Sequence, residues 1–434
     1  MNRPRVAIVG TGIAGLSCAY FLHRRFDVTL FELEARAGGH THTVDVPEPG
    51  RHVAFDTGFM VFNHVTYPLL TRFFRELEVP TQPTSMSFSV QHLPSGLEYN
   101  GTSLNHLFAQ RRNLLRPSFY RLLLAVNRFN EEAVPALEEA QWQGMTVAEY
   151  VRARGYGDGF LQLYLIPMSG AVWSTPPELM LEFPAITLLR FFHNHGFLGL
   201  QTQHPWWTVT GGAREYIRRL RPVLGAHRFR LRTPVVAVQR QAGGGAQVRT
   251  ADGRAEDFDR VVLATHADQA LSLLSDADAT ERSVLGEFRY QANLATVHTD
   301  AAVMPRTRRA WASWNYRIAT GPDGKPRPQT VYWMNSLQGV SDRVPYFVSV
   351  NGEDTMDPSK VIRRIPYRHP LFSQGARAAQ QRLPGLNHRS PGQAVYFAGS
   401  YFRYGFHEDA FGAGLAAARA VAGERFYDHA PWPE

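Results

Sequence analysis

The sequence predicts an α/β protein in which a Rossmann-like dinucleotide-binding domain is interrupted by an inserted α+β domain. Three observations predict it. An apolar strand near the N-terminus runs into a turn with three spaced glycines. A second strand–glycine–helix passage lies near residue 400. Between them, one long stretch has helical periodicity and another reads as aromatic strands.

The first element is Val6-Ala7-Ile8-Val9, an apolar run of the kind a buried parallel strand needs. Gly10-Thr11-Gly12-Ile13-Ala14-Gly15 follows, and 16–24 reads as a helix. Gly10 permits a tight turn, Gly12 lets backbone approach a pyrophosphate, and Gly15 allows close helix–strand packing. The helix start offers free N–H groups and partial positive charge to phosphates, placing Ile13 and Ala14 at the cofactor. A strand over 27–31 ends at Glu32, 22 residues after Gly10, where a carboxylate can accept from ribose hydroxyls. This pattern suits NAD and FAD equally.

Further on, Thr210-Gly211-Gly212 opens a helix ending near Leu224. Residues 234–240, 246–250 and 260–264, separated by Gly243-Gly244-Gly245 and Asp252-Gly253 turns, read as a β-meander. The triple glycine precedes a strand, so it is a hairpin turn and not a phosphate loop. Val395-Tyr396-Phe397-Ala398-Gly399-Ser400 is a buried strand ending in a glycine turn, followed by Gly405-Phe406-His407-Glu408-Asp409-Ala410 and an Ala-rich helix over 415–422. A helix start there would stabilise negative charge on a bound cofactor. In the first insertion Phe119, Leu122, Leu123, Val126, Phe129 and Ala133 recur at helical spacing after Pro117, flanked by Arg111, Arg112, Arg116, Arg121 and Arg128. We read a core-facing helix with a solvated basic side. In the second, 290–300, 311–316 and 330–335 alternate as in a mixed sheet.

Composition narrows the classes. The 434 residues suit two or three domains. Cys18 is the only cysteine, which excludes an intramolecular disulfide and a multi-thiolate metal site. No apolar run approaches the ~18 residues of a membrane span. Arg3 and Arg5 before the apolar stretch 6–22 imitate a signal peptide. The nucleotide-spaced glycines and lack of a cleavage signal point instead to a mature, cytoplasmic chain. Lys+Arg total 46 against 38 Asp+Glu, a formal charge of +8, yet only Lys325 and Lys360 are lysines. No basic-aromatic nucleic-acid module is present, so no nucleic-acid partner is expected. His40/His42 and His193/His195 lack carboxylate partners, and no metal is expected.

Glu32-Leu33-Glu34-Ala35-Arg36-Ala37-Gly38-Gly39-His40-Thr41 resembles the E-x3-R-x-G-G signature of the flavin amine oxidase superfamily. Phe55-Asp56-Thr57-Gly58, the 210–212 glycines and the 395–414 passage are similar to its other segments. The resemblance implies FAD and an FAD-binding domain of amine oxidase/glutathione reductase type, assembled from 1–85, 206–285 and 390–430. Residues 86–205 and 286–389 then form the substrate domain. It implies cofactor contacts from Gly10, Gly12, Ile13, Ala14, Gly15, Glu32, Arg36, Gly38, Gly39, His40, Thr41, Thr57, Gly58, Gly399, Ser400, His407, Glu408 and Ala410. The backbone of Val236 is implied at the adenine. Trp314, Tyr316, Trp333 and Asn335 are implied candidates for a substrate cavity under the aromatic sheet.

Ala171-Val172-Trp173-Ser174, 191–196, 264–268, 311–316 and 405–409 look like a bacterial branch related to the N-terminal flavin domain of plant cyclopropane fatty-acid synthases. That branch is often associated with fatty-acid methyltransferases, so such a partner is expected, as is an anionic membrane surface on which the protein is peripheral. The chain departs from the superfamily at several places. The lysine common near the flavin in oxygen-reducing members is replaced by Asn293. Phe406 stands for a tyrosine, His407 for a methionine, and Ser400 for an acid. His407 and Asn293 are therefore the candidate catalytic positions. The resemblance and these departures imply an oxidoreductase taking a hydride from a substrate carbon, a desaturase or oxidase of a fatty-acyl or phospholipid substrate. An amine oxidase, and a flavin-binding scaffold for a lipid methyltransferase, remain alternatives.

Overall fold

The computed structural model describes residues 3–199, 202–390 and 393–423, together with Phe426 and Trp432. Part of the third segment expected to build the FAD-binding domain, at 391–392, 424–425 and 427–430, lies outside the described residues.

A five-stranded, fully parallel sheet forms the base of the molecule. Its order is Phe229–Arg230, Asp27–Phe31, Arg5–Val9, Arg260–Leu263 and Val395–Phe397. The N-terminal strand sits at its centre, with Val6, Ala7 and Ile8 fully buried. Covered on both faces, such strands read as continuous apolar runs. The sequence places Arg260–Leu263 in a meander; it is a strand of the parallel sheet instead. Ala255–Phe258 completes the separate antiparallel sheet with Val235–Arg240 and Ala246–Thr250. Asp259 is the only residue between the two, too short a signal for periodicity to find.

Helix Ile13–Leu22 starts three residues before the expected 16–24, directly after Gly12. It packs on helix His407–Ala422, which starts well before the Ala-rich segment that announces it. The two cross where side chains are minimal. A Cβ on Gly414 would lie 2.0 Å from Ser17 Oγ and 2.2 Å from the Ala14 carbonyl oxygen. The Ser17 hydroxyl donates to the Phe411 carbonyl across this crossing (3.1 Å). Chain positions 394 residues apart are thus fixed together beneath one site.

The inserted parts form two further layers. Helices Pro117–Ala136, Val147–Arg154, Ile166–Trp173 and Ala185–Asn194 share one apolar core with the parallel sheet. Phe119, Leu122, Phe129 and Ala133 are buried as the spacing predicts. The aromatic strands belong to a seven-stranded mixed sheet ordered Val361–Leu371, Arg289–His298, Phe347–Val350, Pro326–Trp333, Trp314–Thr320, Phe88–His92 and Leu97–Asn100. Its one parallel pairing joins Trp314–Thr320 to Phe88–His92. Asp56 ties the layers together. Fully buried, it accepts from the Ala213 backbone N–H (2.9 Å) and from Gln338 Nε2 (2.8 Å). Burial pushes its pKa up to about 6. Among the described residues no helix is long and apolar enough to cross a membrane.

Candidate active site

One cavity of about 580 Å³ runs between the parallel sheet and the seven-stranded sheet. At one end its wall is mostly backbone. Gly10 has φ +99°, a value open to glycine but strained for other residues. Gly12 is the N-cap of helix Ile13–Leu22, and no side chain caps that helix. Its first N–H groups therefore face the cavity as a ready anion site. A Cβ on Gly12 would meet nothing within 4 Å, whereas one on Gly39 would lie 3.2 Å from the Gly12 Cα. The two glycine turns touch, leaving an open trough above Gly12. Glu32 lies at its rim and accepts from the Thr11 backbone N–H (3.1 Å).

Ile13, Ala14, Gly38, His40, Gly58, Gly399, Ser400, His407 and Ala410, all expected at the cofactor, line the same cavity. The other predicted cofactor residues act beneath or beside the wall. A Cβ on Gly15 would sit 2.0 Å from the Gly10 carbonyl oxygen, so this glycine serves close packing rather than contact. Arg36 donates to the Thr41 carbonyl (3.0 Å), holding the loop closed. Thr41 Oγ1 is 2.6 Å from Tyr216 Oη and 2.9 Å from His407 Nε2. Thr57 lies 2.7 Å from Tyr367 Oη. Glu408 points away from the cavity and accepts from the Leu69 and Leu70 backbone N–H groups (2.8 and 2.9 Å), so it caps a neighbouring helix. Burial raises its pKa to about 7. Val236 is 49% exposed and outside the wall; its neighbour Val235 lines the cavity instead.

The middle of the cavity is flanked by imidazoles. His40 stacks on Tyr367 (4.9 Å between centroids) and lies 5.4 Å from His369, while His266 stacks on Tyr290 (4.3 Å). Burial, reinforced by its neighbours, holds His40 neutral. Burial likewise lowers His266 and His369 to about 4. His407 stacks on Phe59 at 3.8 Å, and burial lowers it to about 3. It is a neutral wall residue and no proton reservoir near neutral pH.

Asn293 does not line the cavity, so its predicted catalytic place is corrected to a positioning one. Its Nδ2 donates to the Ser174 carbonyl (3.1 Å) and to His369 Nδ1 (2.8 Å), and its Oδ1 accepts from Asn351 (2.8 Å). Accepting at Nδ1 leaves the His369 proton on Nε2. Ser174, which lines the cavity, is a non-glycine residue at φ +50°. Such backbone strain persists where surroundings over-determine it, and Asn293 supplies that hold.

The far end is a chamber of side chains. Trp314 lines it with Tyr332, its cross-strand partner, the rings stacked at 5.7 Å. That pairing fixes the parity of strand Pro326–Trp333 and turns Trp333 to the opposite face. There Trp333 packs edge-on against Trp311 and carries Arg308 over its ring. Asn335 lies beyond the strand, in helix Met334–Leu337, and secures a loop through the Ser341 and Val344 carbonyls. Tyr316 is buried against Gly170, behind the wall. Tyr67, Phe197, Trp206, Tyr404 and Phe406 complete the chamber with Met60, Met86 and Leu337. Sequence reading missed most of these, because they come from separate loops and helix ends with no shared spacing. Among the described residues that line the cavity, the only charged side chains are Glu32, at the trough, and Arg368, paired with Asp268 (2.7 Å). Neither lysine lines the cavity; Lys360 bonds Asp300 (3.1 Å).

The wall fits a bound FAD on its own terms. An uncapped helix start, an open trough above Gly12 and a Glu32 carboxylate at its rim suit a dinucleotide. The buried His40 Nε2, Trp206 Nε1 and Tyr401 Oη, all on lining residues, have no partner among the described residues. Buried polar atoms rarely stay so in the complete protein.

Comparisons agree with this geometry. A family model described as flavin containing amine oxidoreductase matches residues 13–360. No curated protein matches the chain. Among solved structures it is similar to cyclohexylamine oxidase from Brevibacterium oxydans IH-35A, at 16% identity over 97% of this chain and 99% of that one, TM-score 0.67. It is also similar to a CLA-producing fatty acid isomerase from P. acnes (15%, 98% and 99%, TM-score 0.66). Reduced UDP-galactopyranose mutase shares the fold as well (15%, 98% and 96%, TM-score 0.66).

Proposed function

The chain belongs to the flavin-containing amine oxidoreductase family and is an FAD-dependent oxidoreductase, and from that premise we propose that it takes a hydride from an acyl-chain carbon of a fatty-acyl or phospholipid substrate. One observation carries the reading: the chamber is walled by aromatic and aliphatic side chains and, among the described residues, offers no carboxylate. An ammonium group buried there unpaired would cost several kcal/mol. An acyl chain gains from every methylene removed from water, by about 0.8 kcal/mol each.

FAD, when bound, supplies the two-electron acceptor. The chain supplies placement and a dry environment. Gly10, Gly12 and the start of helix Ile13–Leu22 would hold the pyrophosphate, Glu32 the ribose, and Gly399 and Ser400 the opposite side. Phe406, Trp206 and Trp314 exclude water from the chamber and orient an apolar chain within it. The neutral imidazoles of His40, His266 and His369 offer hydrogen bonds without adding charge. A fold that also serves a P. acnes fatty acid isomerase is compatible with an acyl substrate.

The test is anaerobic incubation of the yellow holoprotein with unsaturated or methylated phospholipids and, separately, with simple amines. Lipids are expected to bleach the flavin and amines to leave it oxidised. Bleaching by amines but not by lipids would overturn the reading in favour of an amine oxidase. Flavin reduced by neither, with a fatty-acid methyltransferase co-purifying, would support a scaffold.

A further inference from the structure

One face of the helical insertion serves neither the cavity nor the core. Residues 99–130 contain five arginines and no Asp or Glu. They fold as helix Leu104–Leu107, the turn Arg111–Leu115 and the first part of helix Pro117–Ala136. Internal bonds make them one surface. Arg111 donates to the Phe108 carbonyl (3.0 Å), Tyr120 Oη donates to the Leu114 carbonyl (3.0 Å), and the Phe108 and Tyr120 rings lie 6.0 Å apart.

The inward side of this surface is ordinary core, with Phe119 and Leu122 buried. The outward side is not an ordinary surface. Leu104 is 72% exposed, Leu115 89% and Leu124 70%, with Leu114 and Tyr120 also exposed. Tyr120 and Leu124 are four residues apart and so share a helix face. Single exposed leucines need no explanation, but a cluster on one short segment does. Around it stand Arg111, Arg112, Arg116 and Arg121, none in an ion pair among the described residues, whereas Arg128 pairs with Glu132. The turn Arg308–Ala310, packed beside helix Leu104–Leu107, adds the exposed Arg308 and Arg309.

We propose that this face docks the protein on an anionic phospholipid bilayer, with the leucines at the acyl boundary and the guanidinium groups at the headgroup phosphates. The arrangement matches a bilayer in depth: an apolar tip enters the hydrocarbon edge while a ring of cations meets the anionic layer above it. Self-association fits poorly. A two-fold contact would set this acid-free, arginine-rich face against its own copy. The inference stands apart from the substrate reading, since docking does not depend on which molecule reduces the flavin.

The test is sedimentation of the full-length holoprotein with phosphatidylcholine vesicles and with vesicles containing phosphatidylglycerol. Binding is expected on the anionic vesicles only, weakening as salt rises. Neutralising two arginines, Arg112→Gln with Arg121→Gln, should lower the partition about 25-fold, roughly fivefold for each charge. Leu115→Asp with Leu124→Asp should lower it at least ~10-fold. Arg249→Gln with Arg254→Gln, which remove equal charge from the exposed antiparallel sheet, should leave it unchanged. Retained flavin colour and melting temperature show each variant folded. Equal binding to both vesicle types, no binding at all, or an equal loss in the Arg249/Arg254 variant would overturn the proposal. A concentration-dependent dimer abolished by the leucine substitutions would do so too.

Discussion

The two ends of the cavity are walled by different parts of the chain. The trough end is backbone: glycine turns, an uncapped helix start and strand ends, with Glu32 as the one acidic side chain among its described residues. The chamber end is side chain, with Tyr67, Phe197, Trp206, Trp314, Tyr332 and Phe406 arriving from separate elements of the fold. A backbone wall tolerates no added atoms where chains cross, yet is indifferent to the identity of most surrounding residues. A side-chain wall can be remodelled by single substitutions, and its chemistry depends on which side chains happen to be neutral.

The largest expected effects separate contact from packing within the trough itself. Gly15→Val places a Cβ where the Gly10 carbonyl oxygen sits 2.0 Å away, a backbone atom that cannot yield without moving the helix off the sheet. Destabilisation of roughly 3 kcal/mol or more is expected, read as loss of folded protein in thermal melts. Gly12→Val differs. The site is open, and φ −64° with ψ 173° is a conformation valine accepts. Its isopropyl group would project into the trough, so a normally folded apoprotein lacking flavin is expected. Stoichiometric flavin in purified Gly12→Val would contradict the assigned cofactor path.

At the chamber end the sensitivity is to protons. His195 lines the chamber and donates from Nδ1 to the Phe191 carbonyl (3.0 Å), and burial lowers its pKa to about 4. An unfolded histidine titrates near 6.5, so between those values the unfolded chain binds the extra proton. Stability from this residue is full above pH ~6.5 and is lost as pH falls toward 4. Asp56 and Asp409, raised to about 6 by burial, act in the opposite sense: their contribution falls as pH rises from ~4 toward 6. His195→Gln removes the first contribution alone. Between pH 7 and pH 5 the stability advantage of the wild type over His195→Gln should shrink by about 2 kcal/mol. Urea denaturation at the two pH values measures it, and a constant or widening gap would mean that His195 is not held neutral.

The same contrast explains what was legible. Backbone binding leaves a local signature, because each glycine has a steric reason tied to its spacing, and both trough segments were readable at Gly10–Gly15 and Gly399–Ser400. Side-chain binding leaves none. Trp206 and Phe197 carry no mark that distinguishes a chamber wall from a core. Where alternation predicts a strand it leaves parity open: Trp314 lines the cavity, but Trp333 faces away because Tyr332 is the residue paired with Trp314. Asn293 stands out in the sequence only for what it replaces, while its role as a brace for Ser174 and His369 depends on partners up to 119 residues distant.

The smallest expected effect is at Val236. Its strand pairs Val235 with Thr250 and Ala237 with Arg249, and the register shifts between Val235 and Ala237. Val236 is thus the extra residue of a β-bulge, turned out to solvent, while Val235 keeps its place in the cavity wall. Simple alternation cannot anticipate this, since one inserted residue reverses which side chains face inward. Val236→Ala should change neither flavin affinity nor stability by more than ~0.5 kcal/mol. Val235→Asp, on the same strand, would put a carboxylate into the trough beside Glu32 and should weaken flavin retention measurably. Flavin titration of both variants decides between them: if Val236→Ala is the damaging change, the bulge does not exist in solution and the trough wall is one residue out of register.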